Sequence, residues 1–484
     1  MRKAHLLWLL ATGAGTNAQV HMQWTTDQGA GVSPSIIGPD GPWQGVIVNV
    51  NGQDTAVYPS GSDASQLLTP EVKGLYKPAD SKTAVKTGSH RGNADPWFSS
   101  VYLNGGFFGF EYYDTMTLKT GPGGVDSLKV NASIIAADDW QEQNEGNASS
   151  YMSNTGLLGL GSIKTSAHRE DDNRSSLLQQ LKTAGKIDRL AFGLHLGSVA
   201  QNISGSLILG GYEQNRVLGP VGSFGITEGV PLVFLRDVVM GVEKGNFSSF
   251  PASPSASHWV NPTETGQQIA KNVGAAGSAV VIPNPASPYI YLPPGICEGI
   301  ANNLGLTYRK DIGLYLWNSS RPGSVSDFVN SPSYLAFVFA DKTATNITVK
   351  VPFKLLNLTL EPPLVTEKVN YFPCKSIDTE YGFWQLGRAF LQAAFLGVDY
   401  DNDSLYLAQA PGPALEPSVV QKFDNEAIKS NPSSSFASTW STSWTEASNN
   451  SASDPVKKDN AMRTGGNVGV AVAVVVFVVA ALLQ

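Results

Sequence analysis

The chain has little charge, few cysteines and no long basic run, and each scarcity removes a class of function. Only 15% of its 484 residues are charged, the net charge is −7 and the pI is near 5.4. Nucleic-acid binding needs a basic face, and no basic block here is longer than Lys457-Lys458. The six histidines form no metal-spaced pair, so each reads as an ordinary surface or packed residue. No Gly-rich phosphate loop ends in Lys-Ser/Thr, and no Gly-x-Ser-x-Gly nucleophile turn occurs. No metal and no cofactor is therefore expected. Acid runs such as Glu170-Asp171-Asp172 read as solvated loop charge.

What the chain does have is turn formers and aromatics: 49 Gly, 29 Pro and 10 Trp, which suit a β-rich, turn-rich body. Val46-Ile47-Val48-Asn49-Val50 alternates toward Asn51-Gly52, a hairpin-turn dipeptide, and a second strand then ends in the loop Pro59-Ser60-Gly61-Ser62-Asp63. Ala279-Val280-Val281-Ile282, then Pro283-Asn284-Pro285-Ala286-Ser287, then Tyr289-Ile290-Tyr291-Leu292-Pro293 has the same shape. Each strand-loop is followed about a hundred residues later by a Leu-Gly turn, so the chain reads as two copies of one unit. Two helices stand out. Ser175-Ser176 caps Leu177–Leu181 before Gly185, and Pro293-Pro294 opens a helix with Ile296, Ile300 and Leu304 on one face and Gly305 past its end.

These segments resemble the pepsin-type aspartic peptidases, whose signature is a strand, an Asp-Thr-Gly-Ser/Thr loop and a strand, occurring twice. Gly156-Leu157-Leu158-Gly159-Leu160-Gly161 is similar to the family's Gly-Ile-Leu-Gly-Leu-Gly, and Gly205–Tyr212 resembles the segment closing its first lobe. Trp384-Gln385-Leu386-Gly387-Arg388-Ala389-Phe390-Leu391, with Val398–Asn402, resembles its Trp-Ile-Leu-Gly-Asp-x-Phe-Leu and Asp-Tyr-Asp-Asn ending. The likeness runs from about Trp43 to Ala410, in order. It implies an all-β, bilobal pepsin-like fold: two β-barrel lobes, a central cleft and a few short helices. Lobes are expected over 19–222 and 223–413. Trp97–Gly106 looks like the family's flap hairpin, with Tyr102 at the position of the tyrosine that covers the cleft; a strand tyrosine packed on the barrel is the alternative.

The family's mechanism needs two carboxylates about 3 Å apart sharing one proton. Aligned on the two loops, those positions fall on Pro59 and Pro283, which have no ionisable group and no backbone N–H. Asp63 lies four residues on and Asp54 five back, and at about 3.3 Å per extended residue neither reaches the position without rebuilding the loop. The second loop has no acid between Val280 and Gly295. The expectation is a pseudo-peptidase whose cleft floor of Pro59, Ser60, Gly61, Pro283 and Asn284 is apolar and poor in donors. An extended peptide or a cell-wall polysaccharide would lie there.

Residues 1–18 read as a secretory signal: Arg2-Lys3, a short apolar core, and Thr16-Asn17-Ala18 as the cleavage site. No Lys or Arg occurs between Lys3 and Lys73, so the basic pro-segment of family zymogens is missing. Glycosylation triplets stand at Asn131, Asn147, Asn173, Asn202, Asn246, Asn318, Asn346, Asn357, Asn402 and Asn449. Cys297 and Cys374 read as one disulfide in an oxidising compartment, which the resemblance also implies for this lobe; two unpaired buried thiols are the alternative. Residues 414–460 read as an extended Ser/Thr-rich stalk without apolar periodicity. Residues 461–484 read as a hydrophobic GPI signal, with Asn460 preferred as the attachment site over Ser451 or Ser453; a short transmembrane helix is the alternative.

Three function classes follow. The first is a surface-anchored, catalytically inactive, monomeric binding or scaffold module, similar to the cell-surface aspartic peptidases of fungi. The second is an active endopeptidase with a non-standard acid pair. The third is a structural wall glycoprotein without a ligand.

Overall fold

The computed structural model describes residues 19–27, 32, 36–91, 105–121, 126–142, 155–161, 176–227, 229–244, 257–260, 267–268, 270–271, 276–317, 324–377, 383–424 and 426–445. The body is built from strands, with a few short helices at their ends. Its hairpin opens as the sequence dictates. Val46–Val50 and Gln53–Ser60 pair with Val50 opposite Gln53, and Asn51 and Gly52 take φ of 52° and 80° between them. Two successive positive φ values give the turn that matches strand twist.

Each half forms a seven-stranded sheet around the same crossed motif. In the first, Gly156–Gly159 is inserted between Gln53–Ser60 and Ser65–Leu68, parallel to one and antiparallel to the other. In the second, Phe383–Leu386 is inserted in the same way between Ala279–Pro283 and Ile290–Leu292. A third seven-stranded sheet joins the halves. Within it, Ala394–Asp399 pairs with Ala191–His195, and Ser404–Gln409 pairs with Leu218–Thr227. The expected boundary at 222/223 thus lies inside the strand Leu218–Thr227.

The core explains the runs of Val, Ile and Leu. Val46, Val48, Val57, Ile134 and Leu158 pack in one half, and Val280, Ile282, Leu335, Phe337 and Leu386 in the other, all at 1% exposure or less. Strands buried on both faces read as continuous apolar runs rather than alternating ones. The first helix, Leu177–Thr183, starts at Ser176, whose hydroxyl accepts the Gln179 N–H while the Gln179 side chain accepts the Ser176 N–H. The second runs Ile296–Leu304, with Ile296, Ile300 and Leu304 buried, and is tied to the sheet by the Cys297–Cys374 disulfide.

The stalk reading is corrected for residues 414–445. Val420–Lys422 pairs with Gly211–Glu213, and Phe436–Trp440 is a helix capped by Ser435. Trp440 is 1% exposed and stacks on Trp444 with ring centres 6.0 Å apart, while Phe436 meets Tyr334 edge-on. Phe436, Trp440 and Trp444 recur every fourth residue, a helical stripe among serines and threonines. Residues 446–484, which include Asn449, the preferred anchor Asn460 and the hydrophobic end, lie outside the described residues, as do residues 1–18. Among the described residues no helix is long and apolar enough to cross a membrane.

Candidate functional site: the paired loops and the interlobe floor

The two loops occupy equivalent places. Pro59 lies opposite Leu158 in a parallel pairing, and Pro283 lies opposite Leu386 in the matching one. The residues that follow are also matched. Ser60 Oγ accepts the Ser62 N–H at 3.1 Å, and Asn284 Oδ1 accepts the Ala286 N–H at 2.9 Å. Each loop therefore turns on a side chain that accepts the amide two residues ahead. Asn284 Nδ2 also donates to Gln385 Oε1, which accepts the Ser287 hydroxyl as well. Neither Pro59, Ser60 and Gly61 nor Pro283 and Asn284 carries a carboxyl group.

Pro59, Gly61 and Pro283 are buried, and Ser60 and Asn284 are 1% and 0% exposed. The polar feature beside them is Arg388, the first residue of the short helix Arg388–Leu391. Gly387 allows the approach: a Cβ there would stand 2.4 Å from the carbonyl oxygens of Ser287 and Tyr289. Arg388 then donates to the Ala286 carbonyl at 2.7 Å and to the Pro285 carbonyl at 3.4 Å. Its guanidinium carbon lies 3.9 Å from the Tyr58 ring centre and 5.0 Å from that of Trp43. A desolvated cation on two ring faces gains from both quadrupoles. Arg388 thereby links the second lobe's loop to the first lobe's strand, one residue before Pro59.

A short finger from the first half completes the floor. Ile37 and Trp43 pair through their backbones, and the tip between them reaches the second lobe. Thr359 and Glu361 donate backbone N–H groups to the carbonyls of Gly41 and Pro39, and Tyr371 donates its hydroxyl to that of Asp40. The Asp40 carboxylate is fully buried; one oxygen accepts the Trp43 indole N–H at 2.9 Å and the other has no hydrogen-bond partner among the described residues. Burial pushes the Tyr58 hydroxyl well above its ordinary range, against the opposing influence of Arg388. Burial also brings the Lys375 ammonium down to about 8, with Asp40 acting the other way. Lys375 Nζ faces the Tyr289 ring at 5.2 Å.

The other residues singled out by sequence divide cleanly. Tyr102 lies outside the described residues. Asp54 sits in the hairpin, hydrogen-bonded by Asn49 and 3.2 Å from Lys119, and Asp63 is buried in the first loop. Cys297 and Cys374 are bonded, with Cα atoms 5.8 Å apart. Asn131, Asn202, Asn346 and Asn402 are exposed and Asn357 is half-buried, whereas Asn147, Asn173, Asn246, Asn318 and Asn449 lie outside the described residues. Among the described residues no cluster of His, Cys, Asp and Glu could hold a metal. Sequence reasoning missed Arg388 and Asp40, although Arg388 stands where the resembled ending has an aspartate.

Two lobes built on one crossed-strand motif, with a loop at each centre and a sheet shared between them, define a bilobal protein of the pepsin class. The family profile "Eukaryotic aspartyl protease" matches residues 63–410, and the chain belongs to that family. An "Acid protease" of Saccharomycopsis fibuligera is 24% identical over 343 residues, covering 66% of this chain and 75% of that protein.

Proposed function

We propose that this member of the aspartyl protease family is a secreted, surface-anchored binding module without peptidase activity. The observation that carries the reading is the pair of loop centres. Pro59-Ser60 and Pro283-Asn284 hold equivalent places in the two lobes and offer no carboxylate to activate a water. Arg388 strengthens it. A guanidinium packed against the loop raises the cost of a proton-sharing acid pair there, because each carboxylate would be drawn to its ionised form. The likeness to an acid protease of Saccharomycopsis fibuligera speaks for protease ancestry, and ancestry of fold does not carry chemistry with it.

Secretion is supported by the signal-like residues 1–18, by exposed glycosylation triplets and by the disulfide. Surface attachment is supported by the apolar run at 468–483. The occupant we propose for the interlobe cleft is an extended peptide, the ligand class that a long cleft between two lobes suits. The test is a casein and peptide cleavage assay at acid pH, with and without a transition-state inhibitor, on tag-free protein. No inhibitor-sensitive cleavage is expected, and Asp63→Asn and Asp40→Asn leave the blank unchanged. Cleavage abolished by either substitution overturns the reading. Binding is measured separately, by thermal shift against a peptide library and against wall glucans; stabilisation by glucans alone would replace the peptide.

A further inference from the structure

Two cations, Lys375 and Arg388, lie near the Asp40 carboxylate at the interlobe floor, and none of the three is within ion-pair distance of an opposite charge among the described residues. Arg388 is committed to two carbonyls and two rings, yet at 3% exposure its Nε has no partner among the described residues. Among the described residues Lys375 makes no hydrogen bond; its ammonium meets the face of Tyr289 and feels the pull of Asp40. The neighbouring acid Glu298 is already engaged by the Gly295 N–H and the Ser376 hydroxyl. Lys375 is half-buried on the strand Cys374–Ser376. A partly desolvated ammonium without a counter-ion gains strongly from an arriving carboxylate, since charge-assisted hydrogen bonds are the strong ones.

We propose that Lys375 anchors a carboxylate subsite at this floor, which takes the terminal or side-chain carboxylate of a bound peptide. The proposal rests on the cleft being a peptide site, and its test separates the two. The probes are N-acetylglycine and its amide, and the reading is the rate at which Lys375 is acylated by a small amine reagent near neutral pH, followed by mass spectrometry. A carboxylate within about 4–6 Å raises an ammonium pKa by about one unit or more, so saturating N-acetylglycine slows labelling of Lys375 roughly tenfold. The amide leaves it unchanged, and the exposed Lys77 and Lys368 are unaffected by either. Equal labelling with and without N-acetylglycine overturns the subsite, whether or not longer peptides bind.

Peptides supply the second arm. A peptide with a free C-terminal carboxylate binds the native chain more tightly than its amidated twin. Lys375→Gln abolishes that difference and Lys375→Arg keeps it. If both peptides bind native protein equally, the cleft reading stands and the subsite falls. If neither binds while N-acetylglycine still protects Lys375, the subsite stands and the peptide reading falls. Thermal unfolding of each variant checks that it folds, and the labelling arm on native protein decides the matter if one does not.

Discussion

Arg388 shows how a single substitution reorganises a site. Where the family ending has an aspartate, this chain has a cation that hydrogen-bonds two loop carbonyls and lies on Tyr58 and Trp43. Arg388→Ala leaves those carbonyls buried and unpaired and opens a void. A loss of about 3 kcal/mol is expected in urea unfolding, from unsatisfied acceptors and lost cation–π contact. Arg388→Asp is expected to be worse than Ala, since a carboxylate there faces the Ala286 carbonyl instead of donating to it. A second residue sets the acid response. His195 is fully buried, its Nε2 2.9 Å from the Gln392 carbonyl and its Nδ1 3.4 Å from Arg216, and burial lowers its pKa to about 3. The folded value lies below the unfolded value of about 6.5, so only the unfolded chain takes up a proton between them. This contribution is fully present above about pH 6.5 and is lost as the pH falls toward 3, by up to about 4 kcal/mol. In His195→Gln, stability measured between pH 7 and pH 3.5 falls less steeply than in the native chain. Parallel curves would show that His195 titrates normally when folded.

Among the elements, those with local signals were legible in the sequence and those needing long-range partners were not. The Asn51-Gly52 hairpin, the Ser176 cap and the Ile296-Ile300-Leu304 face each follow from a few neighbouring residues. The doubled strand-loop was visible as a repeat, and its crossed pairing agrees with the family resemblance. The burial of the loop centres was not visible, because Arg388 and the Ile37–Trp43 finger come together there only through contacts between the two lobes. The packed C-terminal segment was missed for another reason. Serine and threonine dominate its composition, and three aromatics at every fourth position outweigh them once a surface is there to receive them. Trp440→Ala is expected to destabilise by about 3–5 kcal/mol, as large core aromatics do when truncated. Truncation after residue 413 is expected to lower the melting temperature and to expose the Tyr334 face to a hydrophobic dye. An unchanged melting temperature would return this segment to the stalk.

At the scale of the whole molecule the lobes are bound into one unit. Ala394–Asp399, from the end of the second half, lies between Ala191–His195 and Ser404–Gln409, so unfolding of either lobe disrupts the sheet they share. His195, Arg216, Glu213 and Gln392 carry the linkage inward. Arg216 donates to Glu213 at 2.9 Å and to the Ser204 carbonyl at 2.8 Å, and Gln392 donates to the Leu355 carbonyl at 3.1 Å. A cross-link in one lobe should therefore be felt by both. Cys297 and Cys374 are 77 residues apart, and closing a loop of that length restricts the unfolded chain by about 4–5 kcal/mol in the chain-entropy account. The double substitution Cys297→Ser with Cys374→Ser is expected to lower the melting temperature by several degrees while leaving a single calorimetric transition. If the lobes were independent, the same substitution would split the transition, with the first lobe melting at the native temperature and the second below it. A split would also remove the mechanical basis of the interlobe floor, because Arg388 and the Asp40 finger position the loops only while both lobes are folded.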